Sequence, residues 1–137
     1  MDAFVLDVSA CMPWCCEDET NVASEEMLRW ATEGSALHVP SVWSWELLNA
    51  VGVIIKRRRI SAAKGAEFLE LLTTLRFIFD PPPQPADFLR LHRIAGLHGL
   101  TAYDVAYLDL SKRRGLPLAT RDRELIKASQ AEGVEIL

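Results

Sequence analysis

Asp7, Glu46, Asp104 and Asp122 each sit at or beside an apolar stretch that folding draws inward. Asp7 closes the run Phe4-Val5-Leu6, and Asp122 follows Leu116-Pro117-Leu118-Ala119-Thr120. Glu46 and Asp104 lie within apolar stretches of helical spacing. Ionised carboxylates at the rim of a core are penalised by desolvation and by one another, so a cluster of them needs a counter-charge. No segment offers a cation for all four, which makes a bound divalent ion the natural partner. Hard oxygen donors of this kind suit Mg2+ or Mn2+. Zinc would call for imidazole or thiolate ligands, and His38, His92 and His98 lack that spacing.

Each acid also has a local explanation. Asp122 stands where an N-cap is wanted for the helix after it, and Thr101-Ala102-Tyr103-Asp104 matches a capping box. For Asp7 the local explanation is weaker, because Ser9 is at hand to cap the first short helix. Glu46 is hardest to dismiss. On a helix it shares a face with Val42, Asn49, Ala50 and Val53, while Trp45, Leu48, Val51 and Ile55 fill the opposite flank. That leaves the carboxylate little route to water. A buried Glu would be protonated, paired with Arg or bound to a metal.

The elements that must position these residues alternate between short apolar runs and amphipathic helices. Strands are expected at Phe4 to Leu6, Ala36 to Val39, Phe77 to Phe79, Leu116 to Ala119 and Val134 to Leu137. Helices are expected at Ala10 to Cys16, Asn21 to Thr32, Ser41 to about Arg58, Ser61 to Leu75, Pro85 to His98, Thr101 to Arg114 and Asp122 to Glu132. Gly34 and Gly115 stop two of these helices. Pro81 to Pro85 can be neither helix nor central strand and reads as a stiff connection. Strands separated by helices imply one α/β domain over residues 1–137, a five-stranded parallel sheet covered on both faces. Ligands of such sheets gather beyond the carboxyl ends of the strands, where Asp7 and Asp122 fall.

A net charge of −4 gives no general attraction for a polynucleotide, so any such binding must be local or metal-mediated. Arg121 and Arg123 flank Asp122 and could offset the acids toward a phosphate. Lys112-Arg113-Arg114 and Lys56-Arg57-Arg58-Arg59 sit at helix ends, where cations also complement the dipole. Cys11, Cys15 and Cys16 fall in one segment without distant partners, which reads as small buried hydrophobes in a reducing cytoplasm. Trp14, Trp43 and Trp45 add aromatic surface for core or interface. The Val42 to Ile55 stretch has more apolar faces than one core uses, and it is too short to span a membrane.

Leu6-Asp7-Val8-Ser9, Trp45-Glu46-Leu47-Leu48-Asn49, Tyr103-Asp104-Val105-Ala106-Tyr107-Leu108 and Leu118-Ala119-Thr120-Arg121-Asp122 resemble, in order, the signature segments of PIN-domain nucleases. The likeness is to the VapC-type toxins of bacterial toxin–antitoxin pairs and runs over the full length. It implies a Mg2+- or Mn2+-dependent endoribonuclease acting on RNA, a homodimer, and inhibition by a cognate VapB-type antitoxin. Asp7, Glu46, Asp104 and Asp122 match the acidic tetrad, Ser9 and Thr120 the hydroxyl positions beside it, and Asn49 a less regular polar neighbour. Asp109 departs from the pattern, standing where small apolar residues are commoner, and is expected to face away from the site. Two other readings compete. One is a PIN-like module that has lost catalysis and works only within a complex. The other is a phosphotransfer domain with Asp7 as nucleophile, which leaves Glu46 unexplained and lacks a lysine near the last strands.

Overall fold

Phe4, Val5 and Leu6 lose all contact with solvent in the computed structural model, which describes residues 1–137. They form β1 (Ala3–Leu6), flanked by β2 (Ala36–Val39) and β4 (Leu118–Ala119), with β3 (Phe77–Phe79) outside β2. All pairings are parallel and the order is β3-β2-β1-β4. A strand covered on both faces has no polar side to alternate with, which is why these runs are continuously apolar.

Four strands form where five were expected. The Val134–Leu137 segment shrinks to one parallel bridge, Leu118 with Ile136. Its partner β4 is only two residues long, so a ladder has little to extend along. Pro117 is part of the reason, because it has no N–H to give at the start of that strand.

The helices are α1 (Val8–Cys11), α2 (Val22–Thr32), α3 (Trp43–Lys56), α4 (Ala62–Thr73), α5 (Phe88–His98), α6 (Ala102–Arg114) and α7 (Arg123–Ala131). The helix expected over Ala10–Cys16 is instead α1 followed by a 3-10 turn at Met12–Trp14, with Pro13 inside it. Another 3-10 turn, Pro85–Asp87, delays the start of α5 to Phe88. Ser61 caps α4 through the Lys64 N–H, as its position in the sequence implies.

Two helices carry Glu46 and Asp104. In α3 the buried stripe is Trp43, Leu47, Val51 and Ile54, a four-residue and then three-residue rhythm along one face. Trp43 packs on Phe77 with ring centroids 4.8 Å apart. Trp45 and Leu48, expected beside Val51 on a filled flank, point outward and are 75% and 50% exposed. Gly65 lets α4 lie close against α3, since a Cβ there would meet Ile55 at 2.7 Å. In α6, Val105, Tyr107, Leu108, Asp109, Leu110 and Ser111 are all buried, because the helix crosses the sheet while α5 and α7 cover its flanks. No helix is long and apolar enough to cross a membrane.

Candidate active site

From β1 the chain goes to β2 and β3 on one side, then returns to place β4 on the other. That reversal opens a crevice at the carboxyl ends of β1 and β4, the usual ligand position in such sheets. Asp7 and Thr120 are the first residues beyond those two strands, and the Asp7 N–H donates to the Ala119 carbonyl at 2.9 Å. Asp7 stands at the N-cap position of α1, yet its side chain makes no capping bond. Its Oδ2 instead accepts two hydroxyl protons, from Ser9 at 2.6 Å and from buried Thr120 at 2.7 Å. Backbone N–H groups fix those hydroxyls in turn, Arg121 on Ser9 at 2.9 Å and Asp122 on Thr120 at 3.1 Å. Each hydroxyl has one proton to give, so the 3.4 Å approach of Ser9 to Thr120 is a contact between two committed donors.

The other acids follow the same pattern. Tyr107 of α6, itself fully buried, donates its phenol to Glu46 Oε1 at 2.6 Å and so ties α3 to α6. Asp122 caps α7 by accepting from the Leu125 N–H at 2.8 Å through Oδ1. On Asp7, Glu46 and Asp122, then, one oxygen is anchored to the frame and the other is free. Asp104 lies in the first turn of α6, where the Thr101 hydroxyl accepts its N–H at 3.2 Å.

Charge is unbalanced here. Asp80, Asp87, Asp109 and Glu132 all pair with Arg, Lys or His, whereas none of the four site carboxylates lies within ion-pair distance of a cation. Burial pushes Glu46 above the usual carboxylate range. The Tyr107 phenol pulls it back in part, and the charges of Asp7 and Asp104 push it further. Asp104 is raised as well, first by burial, with Thr101 opposing and Asp122 and Asp7 adding to the effect. Glu46 and Asp104 therefore both feel the charge of neighbouring carboxylates. With side chains as they stand, no three His, Cys, Asp or Glu groups come close enough together to hold an ion. The donor set still fits a hard divalent cation in its chemistry: all oxygen, unneutralised, each member with at least one oxygen free.

The family model described as PIN domain matches residues 4–130. The chain belongs to the PIN-domain family. It is 30% identical over 111 residues to Exonuclease VapC9 of Pyrobaculum aerophilum, an alignment spanning 80% of each protein. The PIN fold is found again in PAE2754 from Pyrobaculum aerophilum, with a TM-score of 0.71 and 24% identity over 98% of this chain and 83% of the other. It is found in VapBC2 from Rickettsia felis bound to a DNA fragment from their promoter, at TM-score 0.66 and 13% identity over 98% and 97%. FitAcB from Neisseria gonorrhoeae superposes at TM-score 0.61 with 18% identity over 98% and 96%.

Among the other residues singled out in this PIN domain, Asn49 is exposed on α3 and its side chain makes no hydrogen bond. Arg121 turns its side chain to Glu19 at 3.5 Å, across exposed surface. In the Lys56–Arg59 cluster, Arg59 pairs with Asp18 and Glu19, which ties the loop after α1 to the α3–α4 turn. Asp109 faces away from the crevice, buried between Arg90 and Arg113. All three cysteines are buried with their thiols pushed up in pKa, Cys15 to about 12, as unreactive core residues should be. Tyr107 was not anticipated. The signal was its place three residues after Asp104, where a buried phenol must find an acceptor and an unpaired acid is near.

Proposed function

We propose that the chain is a Mg2+- or Mn2+-dependent endoribonuclease and the toxin of a toxin–antitoxin pair. Four carboxylates without a cation partner, gathered at the switch-point crevice of a PIN domain, carry this assignment. Asp7, Glu46 and Asp104 would hold the ion through their free oxygens, with Asp122 as ligand or anchor. A bound ion would lower the pKa of its water and supply positive charge against the negative charge developing on phosphate. Ser9 and Thr120 hold Asp7 in place, Tyr107 holds Glu46, and α7 holds Asp122. Arg121 leans on Glu19 through a long, exposed pair of small worth, which an RNA phosphate can displace.

The exposed Trp45 and Leu48, three residues apart on α3, form an apolar strip suited to an antitoxin segment or to a second copy. Support for an antitoxin of the VapB type comes from the relatives, one of which is a VapBC complex. The cytoplasm, where RNA and a reducing milieu coincide, is the proposed compartment.

Mapping the ends of RNA cut by the purified chain tests this. Internal cuts with 3′-hydroxyl and 5′-phosphate ends, lost with EDTA and in a folded Asp7→Asn protein, are expected. A cyclic phosphate would point to metal-free use of the 2′-hydroxyl, and stepwise loss from one end would replace endonuclease by exonuclease action, as the name of the Pyrobaculum relative has it. Wild-type cleavage by Asp7→Asn would remove the metal mechanism.

A further inference from the structure

A second concavity, of about 420 Å³, opens between the loop after β2, the proline tract after β3, α5 and α6. Its lining includes Val42, four residues before Glu46 on α3, and Tyr103 and Val105, the chain neighbours of Asp104. The cleft and the carboxylates thus share the N-terminal ends of α3 and α6. Both lie along the carboxyl edge of the sheet, the carboxylates mainly at β1 and β4 and the cleft at β2 and β3.

The chemistry of its walls narrows what it can take. Pro81 to Pro83 form a stiff apolar side without N–H donors, and the Tyr103 ring, 61% exposed, stands at the rim. At the polar end Arg113 binds Asp80 and Asp109, and Arg90 binds Asp109 and Asp87. Three carboxylates against two guanidiniums leave one net negative charge, so this end repels a phosphate. A guanidinium carries five N–H groups, while Arg113 uses three donor–acceptor contacts and Arg90 two. Donors therefore remain free beside carboxylate acceptors, and both arginines are partly exposed. Mixed donors and acceptors facing the apolar proline wall suit a neutral planar ring with a polar edge.

The geometry points to a nucleobase subsite: a base flanking the cut leaves its stack, lies on Tyr103, and is read along its edge by Arg90, Arg113 and Asp80. Its place in catalysis rests on the nuclease reading above; its capacity for a base does not. Tyr103 and the arginines are then specificity determinants, distinct from the residues that hold Asp7 and Glu46.

Two measurements test the subsite separately from the nuclease. In the first, adenosine, guanosine, cytidine and uridine are titrated one at a time, without metal, into wild-type and Tyr103→Ala protein and followed by amide NMR. At least one nucleoside should give saturable shifts at Asp80, Gln84, Arg90 and Ala106, with affinity about tenfold weaker in the variant, near the low end of a base–aromatic stack. In the second, oligoribonucleotides varied at single positions beside the cut are cleaved by both proteins. Wild type should prefer one base at one position, and Tyr103→Ala should flatten that preference. Cleft shifts in a wild-type protein that cuts no RNA would uphold the subsite and remove the nuclease reading. Shifts absent for all four nucleosides, or confined elsewhere, overturn the subsite even if RNA is cut. Cleft signals that move with protein concentration rather than with nucleoside overturn it too, because a second copy then covers the cleft.

Discussion

At the scale of single residues the site works against the stability of the metal-free fold. Glu46 and Asp104 both bind protons more tightly in the folded protein than free carboxylates do. The stability linked to such raised groups is complete below the unfolded carboxylate pKa and is lost as pH rises through their folded values. Metal-free protein should thus weaken, on their account, between the acid carboxylate range and neutrality, while added Mg2+ restores stability at neutral pH. Asp104→Asn removes one of these charges. Its metal-free melting temperature at pH 7 should rise by about 2 °C, while Mg2+-induced stabilisation and cleavage are lost; a lower melting temperature would mean the carboxylate is a structural cap. Tyr107→Phe keeps the buried ring and deletes one hydroxyl from Glu46. Loss of an outer partner of this type costs metal affinity about tenfold or more. Calorimetric Mn2+ titration of the variant should show that loss with the far-UV spectrum unchanged, and equal affinity would mean that Glu46 needs no such support.

At the scale of elements, α3 divides its faces between site, core and partner. Trp43, Leu47, Val51 and Ile54 face the core, Glu46 faces the crevice, and Trp45 and Leu48 face solvent. The double variant Trp45→Asp, Leu48→Asp should fold and cleave RNA yet lose antitoxin binding by at least about a hundredfold, the cost of removing an aromatic anchor and its neighbour. Co-purification with the antitoxin at undiminished yield would place the partner elsewhere. What the sequence made legible was the order of elements and the places of Asp7 and Asp122 at a strand end and a helix cap, because these are local signals. Asp122 showed its local role in advance, and capping α7 uses one of its oxygens and leaves the other. The faces of α3 were harder to read. Apolar residues occur almost all round that helix, so its periodicity did not say which stripe meets the sheet. The fifth strand failed for a different reason, the two-residue length of its neighbour, which depends on pairing and not on propensity. Tyr107 was harder to read, because the acid that accepts its phenol is Glu46, sixty-one positions away.

At the scale of the whole molecule, charge is sorted by place. Acids that serve structure are neutralised: Asp80 and Asp109 by Arg113, Glu132 by Lys112 and His98, Glu17 by Lys64. The acids of the crevice are left without cation partners: Asp7 follows β1, Asp122 caps α7 after β4, and the Tyr107 bridge ties Glu46 to the helix that carries Asp104. Crystals soaked in Mn2+ and measured for anomalous scattering test this most directly. A single strong peak bound by Asp7, Glu46 and Asp104, with their side chains drawn inward and Asp122 beside them, is the expected result. Saturating Mn2+ that leaves this crevice without a peak, the carboxylates still apart, would contradict it.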